Sequence, residues 1–107
     1  MGENMINLQK IHLEEEKLRK LIDILRKNGA VKIAIFGSRV RDDWKKDSDV
    51  DVLVKFDRRM DLLEFIGIKQ EIEDEIGEKI DLITFDGLDE TVKDQVFKEM
   101  VILYDEK

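Results

Sequence analysis

Two short apolar runs rich in β-branched residues, 31–36 and 49–56, stand on either side of a polar stretch that opens with Gly37-Ser38 and leads into Asp49-Val50-Asp51. Runs of this length and composition read as buried strands rather than helices. The first ends at the Gly-Ser pair; the second begins with two aspartates spaced i, i+2. Along a strand the side chains alternate, so Asp49 and Asp51 fall on the same face, side by side.

The remaining pattern supplies the other layers. Leu8, Ile11, Leu18, Leu21, Ile22 and Leu25 recur at helical spacing, which predicts an amphipathic helix over residues 7–27, stopped by Asn28-Gly29. Residues 39–44 are expected to form one or two helical turns and 45–48 a polar loop. A second helix is expected over 60–76 and is stopped by Gly77. A third strand, 79–85, carries Asp81. A helix over 88–98 and a short strand over 101–104 follow. The order α-β-α-β-α-β-α-β predicts an α/β (α+β) fold, a small mixed sheet backed by helices. The link from the second strand to the third suits either a crossover or an antiparallel return, and in both cases Asp81 can stand beside Asp49 and Asp51.

At 107 residues the chain is expected to be a single domain. It has no cysteine, which removes disulfides, thiolate metal sites and thiol catalysis. No apolar run reaches membrane-spanning length and residues 1–10 lack a signal-peptide core, so a cytoplasmic protein with no membrane contact is expected. The net charge of −7 argues against a general nucleic-acid binder, because neutralising phosphates needs a surplus of Lys and Arg. It does not argue against a nucleotide substrate.

Two carboxylates held side by side repel one another unless a cation lies between them. Oxygen-only ligands of this kind suit magnesium. Gly37 and Ser38, followed by a short helix, would offer backbone N–H groups and a hydroxyl to a phosphate. Ser38 could equally cap that helix. Arg39 and Arg41 are candidates for phosphate or partner contact, or are solvated surface charges. Asp81 interrupts the apolar run Ile80-Asp81-Leu82-Ile83, where an unpaired carboxylate is costly to bury, so it is expected to be the third site carboxylate. Asp47, Asp49 and Asp51 do not make an EF-hand: Val52 stands where that loop needs glycine and Arg58 where it needs glutamate. There is no Walker A ending after Gly37, and His12, the one histidine, is expected on a helix surface. A phosphate cradle beside metal-binding aspartates is the equipment of nucleotidyl transfer.

Gly37-Ser38, ten residues, then Asp49-x-Asp51 with the later strand residue Asp81 resembles the nucleotidyltransferase superfamily related to DNA polymerase beta. The resemblance is closest to its minimal nucleotidyltransferase (MNT) branch, antitoxins paired with HEPN-domain proteins, and runs from the leading helix through the Gly37–Arg41 turn to residues 75–88 and 101–107. It implies a two-metal mechanism. Asp49 and Asp51 would hold two magnesium ions, Asp81 would orient or deprotonate the attacking hydroxyl and complete the metal site, and Gly37 and Ser38 would receive the phosphates of ATP. Arg39 and Arg41 would assist them. The implied reaction is transfer of AMP to a tyrosine of a HEPN toxin, silencing its RNase activity.

The branch carries glycine after the second arginine of the turn, where this sequence has Asp42; an acid there is expected to alter the loop and oppose phosphate. The sequence ends shortly after the last expected strand, so the acceptor is expected to be positioned by the partner, which favours a protein substrate over a small molecule or an RNA end. The rival reading is an antitoxin that only masks its toxin. A homodimer or a hetero-oligomer is compatible with either.

Overall fold

The most apolar runs take the two middle places of the sheet. In the computed structural model, which describes residues 11–106, β1 (Ala30–Phe36) pairs antiparallel with β2 (Val50–Phe56). Strand β3 (Ile80–Thr84) joins β2 in parallel, and β4 (Val101–Asp105) joins the other side of β1 antiparallel. The order is β3-β2-β1-β4, the small mixed sheet that the pattern predicts. Helix α1 (Glu15–Lys27) precedes β1, α2 (Leu62–Ile76) links β2 to β3, and α3 (Glu90–Glu99) precedes β4. The open choice between crossover and antiparallel return is thus resolved as a crossover.

Strand alternation divides the interior in two. Ile33, Ile35, Val52 and Val54 meet Leu21 and Leu25 of α1 and Ile68 and Ile72 of α2 in the main core. Ala34 and Leu53 face the opposite way, onto Leu88 and Val96 of α3. Full burial of each large aliphatic contributes about 1.5–3 kcal/mol, so the α1/α2 face carries most of the fold. The thinner α3 face leaves room for a groove. By the same alternation Asp51 shares the face of Leu53, and Asp81 that of Ile83.

Local signals set the ends of the elements. Asp61 accepts a hydrogen bond from the Glu64 N–H at the start of α2, and Asp89 accepts one from the Thr91 N–H at the start of α3. Gly77 ends α2 in the left-handed region, at φ 72°.

Two expectations are corrected. Among the described residues the helix expected over 7–27 begins at Glu15, with 11–13 forming a bend where helix was expected; residues 7–10 lie outside the described region. The His12 N–H donates to the Arg39 carbonyl at 2.7 Å, so this backbone is bound to the loop after β1 instead of to its own helix. His12 accordingly is half-buried and stacks on Trp44, with ring centroids 4.7 Å apart. The expected helical turns over 39–44 shrink to one 3-10 turn, Gly37–Val40, after which Arg41 is extended.

Candidate active site

Parallel pairing of β2 with β3 sets Asp51 directly against Asp81. Both face a groove of about 520 Å³ whose walls include Gly37, Arg41, Gln95 and Glu99. Asp49 sits one residue before β2, is exposed, and is near enough for its charge to act on Asp51. The three predicted aspartates therefore gather at one end of the sheet, with Asp51 in the middle.

Burial, together with the like charges of Asp81, Asp49 and Glu99, pushes the Asp51 carboxyl up to about 6, against the opposing pull of Arg41. An acid in this position is short of positive charge. Among the described residues no three His, Cys, Asp or Glu side chains are already drawn together into a metal-holding cluster. The donor chemistry nevertheless fits a hard cation, being all oxygen and under mutual repulsion.

Gly37 abuts this acid. Its φ of 79° lies in the left-handed region, and a Cβ there would collide with the Asp51 carboxylate. The glycine is thus required twice, by backbone conformation and by the approach of Asp51. Ser38 is half-buried and donates to the Ser48 hydroxyl at 3.0 Å, which in turn donates to the Lys45 carbonyl at 2.7 Å. The hydroxyl thereby ties the turn to the residue preceding Asp49. It does not cap the 3-10 turn, whose N-cap position belongs to Phe36.

Arg39 and Arg41 separate sharply. Arg39 is 3% exposed, and its guanidinium donates to the carbonyls of His12 (2.9 Å), Lys46 (3.1 Å) and Ser48 (2.9 Å) and to Glu78 (2.9 Å). The expectation that Arg39 meets phosphate is corrected: its donors are committed to holding the loop that carries Ser48 and Asp49. Arg41 lines the groove, donating from Nη1 to Glu99 (3.1 Å) and from Nε to Asp43 (3.2 Å). Asp42 lies exposed on the loop and, like every non-glycine among the described residues, has no positive φ, so glycine is not needed there for conformation.

Glu99 is the site residue that sequence reasoning missed. Its Oε2 accepts from the Gly37 N–H at 2.8 Å and its carboxylate accepts from Arg41. One signal was available: an acid in the last turn of a helix opposes the macrodipole and needs another reason to be there.

Residues 19–107 match the protein family described as Polymerase beta, Nucleotidyltransferase. The protein adenylyltransferase MntA of Thermococcus cleftensis is 35% identical over 73 residues, covering 68% of this chain and 74% of that one. A toxin–antitoxin crystal structure with AMP-PNP aligns with a TM-score of 0.73 at 23% identity, covering 89% of this chain and 76% of that one. The complex of tri-AMPylated Shewanella oneidensis HEPN toxin with MNT antitoxin aligns with a TM-score of 0.67 at 20% identity, covering 85% and 71%. At those identities the two structures share the fold. No helix among the described residues is long and apolar enough to cross a membrane.

Proposed function

Since the chain belongs to the polymerase beta nucleotidyltransferase family, we propose that it is a cytoplasmic antitoxin that transfers AMP from magnesium ATP to a tyrosine of a partner HEPN toxin. The observation that carries the reading is the pairing of Asp51 with Asp81 beside Gly37. The adenylyltransferase name of the Thermococcus relative and the AMP-PNP and AMPylated-toxin complexes of the fold neighbours support it.

In this reading Asp49, Asp51 and Asp81 would hold two magnesium ions, which would supply positive charge to offset that of the triphosphate and of the attacking hydroxyl. The chain's own groups do the positioning. Arg41 faces the phosphates from the groove wall, and the Gly37-Ser38 turn brings the backbone close to them. Asp81 orients the acceptor hydroxyl and takes its proton. The acceptor oxygen forms a bond to the α-phosphorus, the bond from that phosphorus to its bridging oxygen breaks, and pyrophosphate leaves with the electron pair.

The test is the intact mass of the partner toxin after incubation with this protein, Mg²⁺ and each nucleoside triphosphate in turn. A gain of one or more AMP units, lost in the Asp49→Asn, Asp51→Asn double variant, supports the reading. A tight complex without any mass gain replaces it with masking alone.

A further inference from the structure

We propose that Glu99 is a positioning residue of the nucleotide site: its carboxylate fixes the Gly37 turn against Asp51 and holds the Arg41 guanidinium over the groove. The assignment rests on the nucleotidyltransferase reading above.

The junction between α3 and β4, next to the end of β1, brings Glu99 there. In the β1–β4 ladder Lys32 faces Asp105 and Ile33 faces Tyr104, but the next pairs are Ala34 with Ile102 and Ile35 with Val101. The register shifts by one residue at Leu103, an irregularity of the kind found beside active sites. The ladder ends at the pair Ile35 and Val101, and Glu99, the last residue of α3, lies two positions before that end, where its side chain reaches the Gly37 N–H.

The hold is two-sided. One oxygen of Glu99 accepts from Gly37 at 2.8 Å, and Arg41 Nη1 reaches both oxygens at 3.1 and 3.4 Å. These are charge-assisted bonds, roughly twice as strong as neutral ones. Their backbone anchor cannot retreat, because the Met100 N–H closes α3 on the Val96 carbonyl at 2.8 Å and the chain passes at once into β4. The Glu99 side chain is 19% exposed. A carboxylate pinned in this way is a fixed strut rather than a plug that swings aside for phosphate. Arg41 meanwhile keeps Nη2 unbonded among the described residues, free to meet an anion in the groove.

Glutamine at position 99 keeps an acceptor for Gly37 but loses the charge that holds Arg41; alanine loses both. The experiment titrates magnesium AMP-PNP into wild type, Glu99→Gln and Glu99→Ala, and follows amide hydrogen exchange at Gly37 in the same three proteins. The expected result is AMP-PNP affinity about tenfold weaker in Glu99→Gln, the scale of one lost charge-assisted contact, with Gly37 exchange close to wild type. In Glu99→Ala affinity falls further and Gly37 exchange accelerates at least about tenfold. If Glu99→Ala does not fold, Glu99→Gln decides alone. Equal or tighter AMP-PNP binding in the variants overturns the proposal, tighter binding meaning that Glu99 competes with phosphate. Unchanged Gly37 exchange in a folded Glu99→Ala protein overturns it irrespective of nucleotide. Wild type that binds no AMP-PNP sinks the nucleotidyltransferase reading itself, a failure visible before any variant is made.

Discussion

Asp51 and Asp81 stand on the same rung of the parallel strands β2 and β3, two acids facing one groove with Gly37 pressed against the first. The repulsion within such a pair destabilises the metal-free fold, and Arg41 offsets it only in part. Replacing Asp49 and Asp51 by asparagine is therefore expected to leave the fold intact or more stable while lowering AMP transfer by about a thousandfold or more. Intact mass of the toxin and a thermal melt check the two halves together. Transfer at wild-type rate in the double variant removes these aspartates from the chemistry.

The same repulsion gives a pH dependence of definite sign. Asp51 titrates near 6 in the fold, above its ordinary value of 3.8, so the folded state holds this proton more tightly than the unfolded chain. Its contribution to stability is complete below pH 3.8 and is lost as pH rises through about 6. The loss is about 1–3 kcal/mol after allowance for solvent screening. Melts of the wild type in EDTA are expected to show a decline across that window that is absent from Asp51→Asn. Magnesium at pH 7.5 is expected to restore the wild type and leave the variant unmoved.

How much of this was legible in the sequence follows from the range over which each feature is determined. Period-2 alternation placed Asp51 on one face, and the interrupted apolar run singled out Asp81; both signals are local, and the sheet then brings the two together. Gly37-Ser38 was legible because a turn between two strands needs few residue types. Arg39 misled, because an arginine after such a turn suits phosphate as well as scaffold. Its burial depends on Glu78 and on the carbonyl of His12, both distant in sequence. Glu99 was missed for the same reason: its place in the last turn of α3 is a weak local signal, and its partners Gly37 and Arg41 stand 62 and 58 residues away in sequence.

Gly37 gives a sharper test than a generic glycine. Alanine at φ 79° costs about 1–2 kcal/mol in backbone strain, and its methyl group must displace the Asp51 carboxylate. Gly37→Ala is expected to lower the melting midpoint by about 4–8 °C per kcal/mol lost and to abolish transfer. Gly67 in α2 is the control, since a Cβ there meets nothing within 4 Å. Gly67→Ala is expected to stabilise the protein by up to about 1 kcal/mol with transfer unchanged. Full activity in Gly37→Ala would show that the approach of Asp51 to the turn is dispensable.

Arg39 makes the opposite kind of prediction, a large structural effect with no contact to nucleotide. Its planar fork satisfies three carbonyls and Glu78 at once, which a lysine's single ammonium cannot reproduce. Arg39→Ala is expected to cost about 3–5 kcal/mol, the usual consequence of stripping one partner from a buried ion pair. Arg39→Lys should recover only part of that loss. Well below its melting point, however, Arg39→Lys is expected to bind magnesium AMP-PNP within about threefold of wild type, a change of less than 1 kcal/mol. Arg41→Ala, whose guanidinium lines the groove, is expected to do the reverse and weaken nucleotide with little change in the melt. Calorimetry on the two variants separates the scaffold arginine from the site arginine. Loss of nucleotide binding in a well-folded Arg39→Lys protein would return Arg39 to the phosphate.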